Sequence, residues 1–207
     1  MNNSWVFRAW HLLVGWGGVG VIYTLTDHLQ GPGRLITPSL IDRLIAFNPH
    51  AIWLYLSFFI VIPMGYALAP IERVRWLSLA MRLTALGAGT VYLVWPTTLV
   101  YPLDTGTTLS STALAALTWV DSAQNCLPSL HMALMVLAVW AIHAARRPLI
   151  TCGTVLWVAA IAFSILQLRR HLLIDVLSGA LLALLAGRLA ERLQRARTVE
   201  LKAAGND

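Results

Sequence analysis

The sequence predicts an all-α integral membrane protein: a bundle of six transmembrane helices, both termini cytoplasmic, with an interfacial helix in the loop between helices 3 and 4. Three observations carry that prediction: the composition, six apolar stretches divided by short polar breaks, and the uneven placement of basic residues. Of 207 residues, 58% are hydrophobic and 12% charged, with a mean hydropathy of +0.70. A globular domain carries about 25% charged residues, so this chain lacks the polar side chains needed to cover itself in water. Residues 1–207 read as a single membrane domain with no soluble domain beside it.

Crossing about 30 Å of hydrocarbon takes roughly 20 apolar residues. Stretches 9–26, 51–69, 76–95, 130–145, 149–168 and 172–189 supply them, and the second and fifth contain no charged side chain. The first follows Arg8 but carries His11, Trp16 and a glycine-rich middle without a small-x-small cleavage site, so it reads as a membrane helix rather than a signal peptide. The fourth is short and the sixth contains Asp175; leaving either out would strand a long apolar run.

Ten of the 15 basic residues (Arg8, Arg73, Arg75, Arg146, Arg147, Arg188, Arg192, Arg195, Arg197 and Lys202) share the side of the termini. Arg34, Arg43, Arg169 and Arg170 lie opposite, and Arg82 falls inside the third span. The positive-inside rule then makes the termini cytoplasmic and turns loops 27–50, 96–129 and 169–171 toward periplasm, exterior or lumen. In a bacterium the membrane would be the inner or plasma membrane. The net charge of +6 is accordingly a topology signal and argues against a nucleic-acid partner. Cys126 and Cys152 are too few for a disulfide framework and lack the spacing of a zinc site.

Loop 96–129 is long, and long loops tend to be functional. Within it Leu109, Ala113, Ala116, Leu117 and Val120 recur at helical spacing, which predicts a short helix at the membrane surface. Such a helix is either a plain connector or a lid that guides a lipid substrate.

Ionisable groups at the ends of membrane helices are costly and mark function. The segment NCLPSLHMA places His131 at the outer start of the fourth span, and LRRHLLIDVLSG places His171 and Asp175 at the outer start of the sixth. His171 and Asp175 are four residues apart and share one helix face. A carboxylate there accepts a proton from one ring nitrogen and leaves the other as nucleophile or base. Pro128 suits a first helical turn, and the free N–H groups there, with the Ser129 hydroxyl, form an anion site. Arg169 and Arg170 are placed either to clamp the same anion or to face lipid headgroups. His11, His28, His50 and His143 read as interfacial or packing residues.

The order P-S-L-H, apolar helix, basic turn, then S-x6-H-x3-D-V-x-x-G resembles the type 2 phosphatidic acid phosphatase superfamily over about residues 50–190, leaving 191–207 as a basic cytoplasmic tail. The second family motif corresponds to Pro128, Ser129, Leu130 and His131, and the third to Ser164, Ile165, His171 and Asp175. The resemblance implies phosphoryl transfer with no cofactor and no metal. His171 attacks phosphorus and becomes a phosphohistidine, Asp175 orients it, and His131 protonates the leaving alkoxide. Ser129, Arg169, Arg170 and Tyr101 fall to the substrate phosphate group.

Two positions depart from the family pattern. No lysine precedes Lys202; with Tyr101 and Pro102 in the Arg-Pro place of the first motif, Val94 stands where its lysine belongs. Arg75 and Arg82 have the right spacing but belong to the opposite end of the third span, roughly 20 Å from the histidines. Ile165 replaces the third-motif arginine, and the basic pair before His171 is similar to the inositol phosphorylceramide synthase and sphingomyelin synthase branch, which moves a phospho-headgroup between lipids. The expected substrate is a lipid phosphate: phosphatidic acid, phosphatidylglycerophosphate, a prenyl pyrophosphate or a sphingolipid. The leading expectation is a membrane lipid-phosphate phosphatase; a headgroup phosphotransferase and a non-catalytic lipid-phosphate binder are the alternatives. A metal site made from the two histidines, Asp175 and Cys126 is the remaining reading of the same residues.

Overall fold

The computed structural model describes residues 3–204; within these the side chains of Asn3, Val120 and residues 200–204 lie outside the described part. α1 (Asn3–Leu12) passes through a π-helical turn, Leu13–Gly17, into α2 (Gly18–Leu29). The first expected span is thus one helical rod with a π turn in its middle. Gly15 allows this, because a Cβ there would overlap the Tyr66 hydroxyl. Next come β1 (Arg34–Leu35), α3 (Leu40–Leu44), a 3-10 turn at Pro49–Ala51, α4 (Ile52–Leu56) and α5 (Phe58–Leu68). α6 (Ile71–Val94) leads through β2 (Thr97–Thr98) to α7 (Leu109–Val120), α8 (Leu130–His143), α9 (Pro148–Gln167) and α10 (Leu173–Ala204).

Four helical stretches are long and apolar enough to cross a membrane: Pro49–Leu68, Ile71–Val94, Pro148–Gln167 and Leu173–Val199. The chain is a multi-pass membrane protein on these alone. Leu130–His143 is apolar but shorter, its 14 residues rising about 21 Å. The expected tail from residue 191 continues α10 without a break, since its Arg, Glu, Leu, Gln and Ala residues favour the helix. The helical bundle also carries one small strand pair: β1 and β2 run parallel, Arg34 opposite Thr97 and Leu35 opposite Thr98, and join the two long loops.

α8 sits centrally, packed against α5, α6, α9 and α10. Its Ala133, Leu134, Met135, Leu137 and Ala138 are buried with Leu77, Ala80 and Met81 of α6. Trp76 closes the lower core: its ring meets Trp140 edge-on at 5.0 Å and its indole N–H donates to the Gly187 carbonyl at 2.9 Å, so the buried donor is satisfied.

The upper end of the core is set by two helix starts. Ser129 caps α8, its hydroxyl accepting the Met132 N–H at 3.4 Å. Pro128 therefore lies before the cap rather than in the first turn. The Ser129 N–H donates to the Asp175 carbonyl at 2.9 Å, and Gly179 of α10 presses on the Ser129 backbone so closely that a Cβ would overlap its carbonyl oxygen. Gly179→Ala should cost about 1–3 kcal/mol of stability by overpacking and lower activity with it, whereas Gly153→Ala, inside α9 at a position open to 4 Å, should hold or raise the melting temperature. Thermal unfolding in detergent checks both.

Candidate active site

Helix α10 begins just after a tight turn that carries the three residues Arg169, Arg170 and His171. Two carboxylates cap its free N–H groups: Asp175 Oδ2 accepts from Leu172 at 2.8 Å, and Asp42 Oδ1, reaching over from α3, accepts from Leu173 at 2.8 Å. Asp42 also closes a capping box with Ser39. Its hydrogen bonds outweigh the effect of burial and hold its carboxyl below the usual carboxylate range. Arg169, with φ at +55°, points back to the same loop and donates to the carbonyls of Asp42 and Ile45. The two adjacent arginines therefore part company, Arg169 clasping the outer loop and Arg170 turning inward.

His171 precedes α10 instead of lying on it, but the four-residue spacing still places its Nδ1 3.7 Å from Asp175 Oδ2. Both residues are buried, at 6% and 0% exposure. His171 Nδ1 and Asp175 Oδ1 have no hydrogen-bond partner among the described residues. The other nitrogen, Nε2, faces Nδ1 of His131 at 3.4 Å across a T-shaped ring pair. His131 occupies the first turn of α8, so the backbone contact between the two helix starts is what brings the rings together.

Behind His131 lies a network that the sequence reading did not foresee. His131 Nε2 meets the Tyr55 hydroxyl at 2.9 Å, and that hydroxyl is 3.4 Å from Asp121 Oδ2. Asp121 follows α7 and accepts from the Tyr23 hydroxyl at 2.6 Å and from Arg170 at 2.8 Å. Tyr101 lies beneath Arg170, ring centroid to guanidinium carbon 4.2 Å, a cation–π arrangement. Burial raises the Asp121 carboxyl pKa, but His131, Arg170 and the Tyr23 hydroxyl outweigh it and hold the group ionised below the usual range. One cue in the sequence pointed to Asp121: only it and Asp104 carry charge in loop 96–129.

The residues expected at the site thus divide. His131, His171, Asp175, Arg170 and Tyr101 form one connected cluster. Ser129 abuts it, fully buried and engaged as a helix cap, and Arg169 faces the outer loop. Cys126 is buried nearby with its thiol toward the Gln124 carbonyl at 3.0 Å. Among the described residues, no group of three or more His, Cys, Asp or Glu side chains is disposed to hold a metal ion.

A cavity of about 310 Å³ opens against this cluster, lined among others by Trp16, Tyr23, Tyr55, Phe58, Asp121 and His131. It shares Trp16, Gly20 and Phe59 with a second apolar groove of about 570 Å³ that follows the π turn of the first helical rod. Polar groups at one end and an apolar channel at the other are what a molecule with a charged head and a hydrocarbon tail requires.

Two histidines, a carboxylate and an arginine thus meet where α8 and α10 begin. Residues 41–189, more than half the chain, match the PAP2 superfamily, and the protein belongs to it. Members of that superfamily are phosphoesterases. No curated protein and no solved structure matches the chain significantly.

Arg170 and Asp121 are 2% and 13% exposed as side chains, so removing one leaves the other's charge buried and unpaired. Asp121→Asn should destabilise by about 3 kcal/mol, and Asp121→Asn combined with Arg170→Met should recover part of the loss. Because the native Asp121 pKa is lowered from 3.8, the advantage of wild type over Asp121→Asn should be complete above that value and fade as pH falls below it. Melting temperatures against pH test both statements.

Proposed function

We propose that the protein is a lipid-phosphate phosphatase working through a phosphohistidine on His171. The observation that carries this reading is the His171–His131 ring pair, 3.4 Å apart, with Asp175 behind the first ring. Asp175 accepts a hydrogen bond from Nδ1–H of His171 and fixes that tautomer, which leaves the Nε2 lone pair free to attack phosphorus. His131 protonates the departing alkoxide through Nδ1, the nitrogen facing the nucleophile. Tyr55 links its other nitrogen to Asp121. Arg170 binds the phosphoryl oxygens, on which charge develops, and the Tyr101 ring supports its guanidinium by a cation–π contact. Water then takes the phosphoryl group from His171.

A nucleophile stands about 3–3.5 Å from the atom it attacks, and the leaving oxygen lies one bond beyond that atom. The rings as they stand are too close to hold both, so substrate entry moves them apart. The apolar channel at Trp16 and Phe59 supports a lipid as the substrate. The uneven placement of basic residues supports six crossings with both termini cytoplasmic, α7 at the outer interface, and a site facing periplasm, exterior or lumen. Transfer to an alcohol, as in the inositol phosphorylceramide synthase and sphingomyelin synthase branch, shares every step as far as the phosphohistidine.

Purified protein should release phosphate from at least one of phosphatidic acid, phosphatidylglycerophosphate, a prenyl pyrophosphate or a sphingoid phosphate, and do so in the presence of chelator. His171→Ala should abolish release, and His131→Asn should reduce kcat by roughly 10²–10⁴. Silence toward every substrate, with and without an alcohol acceptor, would overturn the enzymatic reading in favour of a lipid-phosphate binder.

A further inference from the structure

The other end of the bundle holds a second concentration of charge that the reaction does not use. A cavity of about 720 Å³ is lined by His11, Glu72, Arg75, Arg82, Gln194 and Arg197, with Leu79 and Leu193 also on its wall. The basic side chains come from α1, α6 and α10. Three guanidinium groups thus share one space with a single carboxylate.

Arg82 is the informative member. It lies eleven residues into α6, about 16 Å along an axis whose helix is apolar enough to cross a membrane. A charge at such depth is expensive and calls for a partner. Its Nε donates to the Ser78 carbonyl of its own helix at 3.3 Å. Among the described residues no carboxylate lies within ion-pair distance of Arg75, Arg82 or Arg197, whereas Arg73 nearby pairs with Glu191 at 2.7 Å. Arg75 rests over the Phe7 ring at 5.3 Å, which leaves its N–H groups free. His11 adds a buried Nδ1 without a hydrogen-bond partner among the described residues.

We infer that this cavity is an anion site taking a phosphate group, supplied either by the headgroup of an anionic lipid or by the free ion. Guanidinium forks match the several oxygens of a phosphate, and basic pockets between membrane helices bind anionic headgroups in this way. Leu79 and Leu193 provide apolar wall for the glycerol end of a lipid. The site is separate from the histidines: Tyr92, whose hydroxyl donates to the Pro128 carbonyl at 2.7 Å, stands ten residues, about 15 Å, further along α6. It does not depend on the proposed catalytic reading.

The test titrates the full chain in neutral detergent with dioctanoyl phosphatidylglycerol, a phosphodiester that a monoester phosphatase leaves intact, with inorganic phosphate, and with uncharged dioctanoylglycerol. Binding is read by native mass spectrometry and by melting temperature. Phosphatidylglycerol should bind wild type and His171→Ala alike, and Arg82→Gln at least about tenfold more weakly. Should Arg82→Gln fail to fold, the exposed pair Arg75→Gln and Arg197→Gln should show the same loss. Stabilisation by inorganic phosphate as well would identify the free ion as a ligand, and by phosphatidylglycerol alone a headgroup. Equal binding by wild type and the arginine variants, or an equal effect of dioctanoylglycerol, would overturn the inference.

Discussion

The architecture of the site depends on one backbone hydrogen bond, from the Ser129 N–H to the Asp175 carbonyl at 2.9 Å. It joins the first turns of α8 and α10, and Gly179 lets the two backbones close without a side chain between them. His131 lies in the first turn of α8 and His171 two residues before α10, so this contact sets the separation of the two rings. Rigid helices hold reacting groups more tightly than loops do. The remaining network, from Tyr55 through Asp121 to Arg170, is attached to a ring pair already in place.

Burying this much charge in an apolar protein has a cost, and the way it is offset explains the layout. Arg170 is neutralised by Asp121 and lies over the Tyr101 ring. Asp175 caps Leu172 with one oxygen and keeps the other without a partner, as does Nδ1 of His171. Buried polar groups are normally paired. Within the histidine site, the unpaired atoms among the described residues belong to the proposed nucleophile and to the carboxylate proposed to orient it. The anchoring of α7 is equally specific: it is held at its start by His50 and Trp53 on Ser110, and at its end by Tyr23 on Asp121. The helix expected at the membrane surface thus delivers a site residue, which a plain connector would not do.

What the sequence made legible was local. The two motifs name His131, His171 and Asp175 because a cap, a proline and a four-residue spacing act within a single turn. Four of the six expected spans emerged as helices long and apolar enough to cross a membrane, with α6 and α10 longer than expected because charged residues that favour the helix extend them. What stayed hidden was long-range. Tyr55 meets His131 across 76 positions, and Tyr23 meets Asp121 across 98, with no local pattern to reveal either contact. Arg169 and Arg170 were equivalent as neighbours in the sequence; the positive φ at Arg169 is what turns one to the outer loop and leaves the other at the site. Similarly, Arg75 and Arg82 matched the spacing of a family motif while belonging to a cavity at the far end of the bundle.

The most direct measurement is mass spectrometry of the enzyme quenched in alkaline denaturant during turnover of p-nitrophenyl phosphate, whose leaving group needs little protonation, in wild type and in His131→Asn. The account predicts a phosphoryl adduct that is stable to alkali and lost in acid, on the peptide carrying His171, in both proteins. With an alkyl phosphate lipid the adduct should form in wild type alone. An adduct on any other side chain, or turnover with no adduct under either condition, would contradict it.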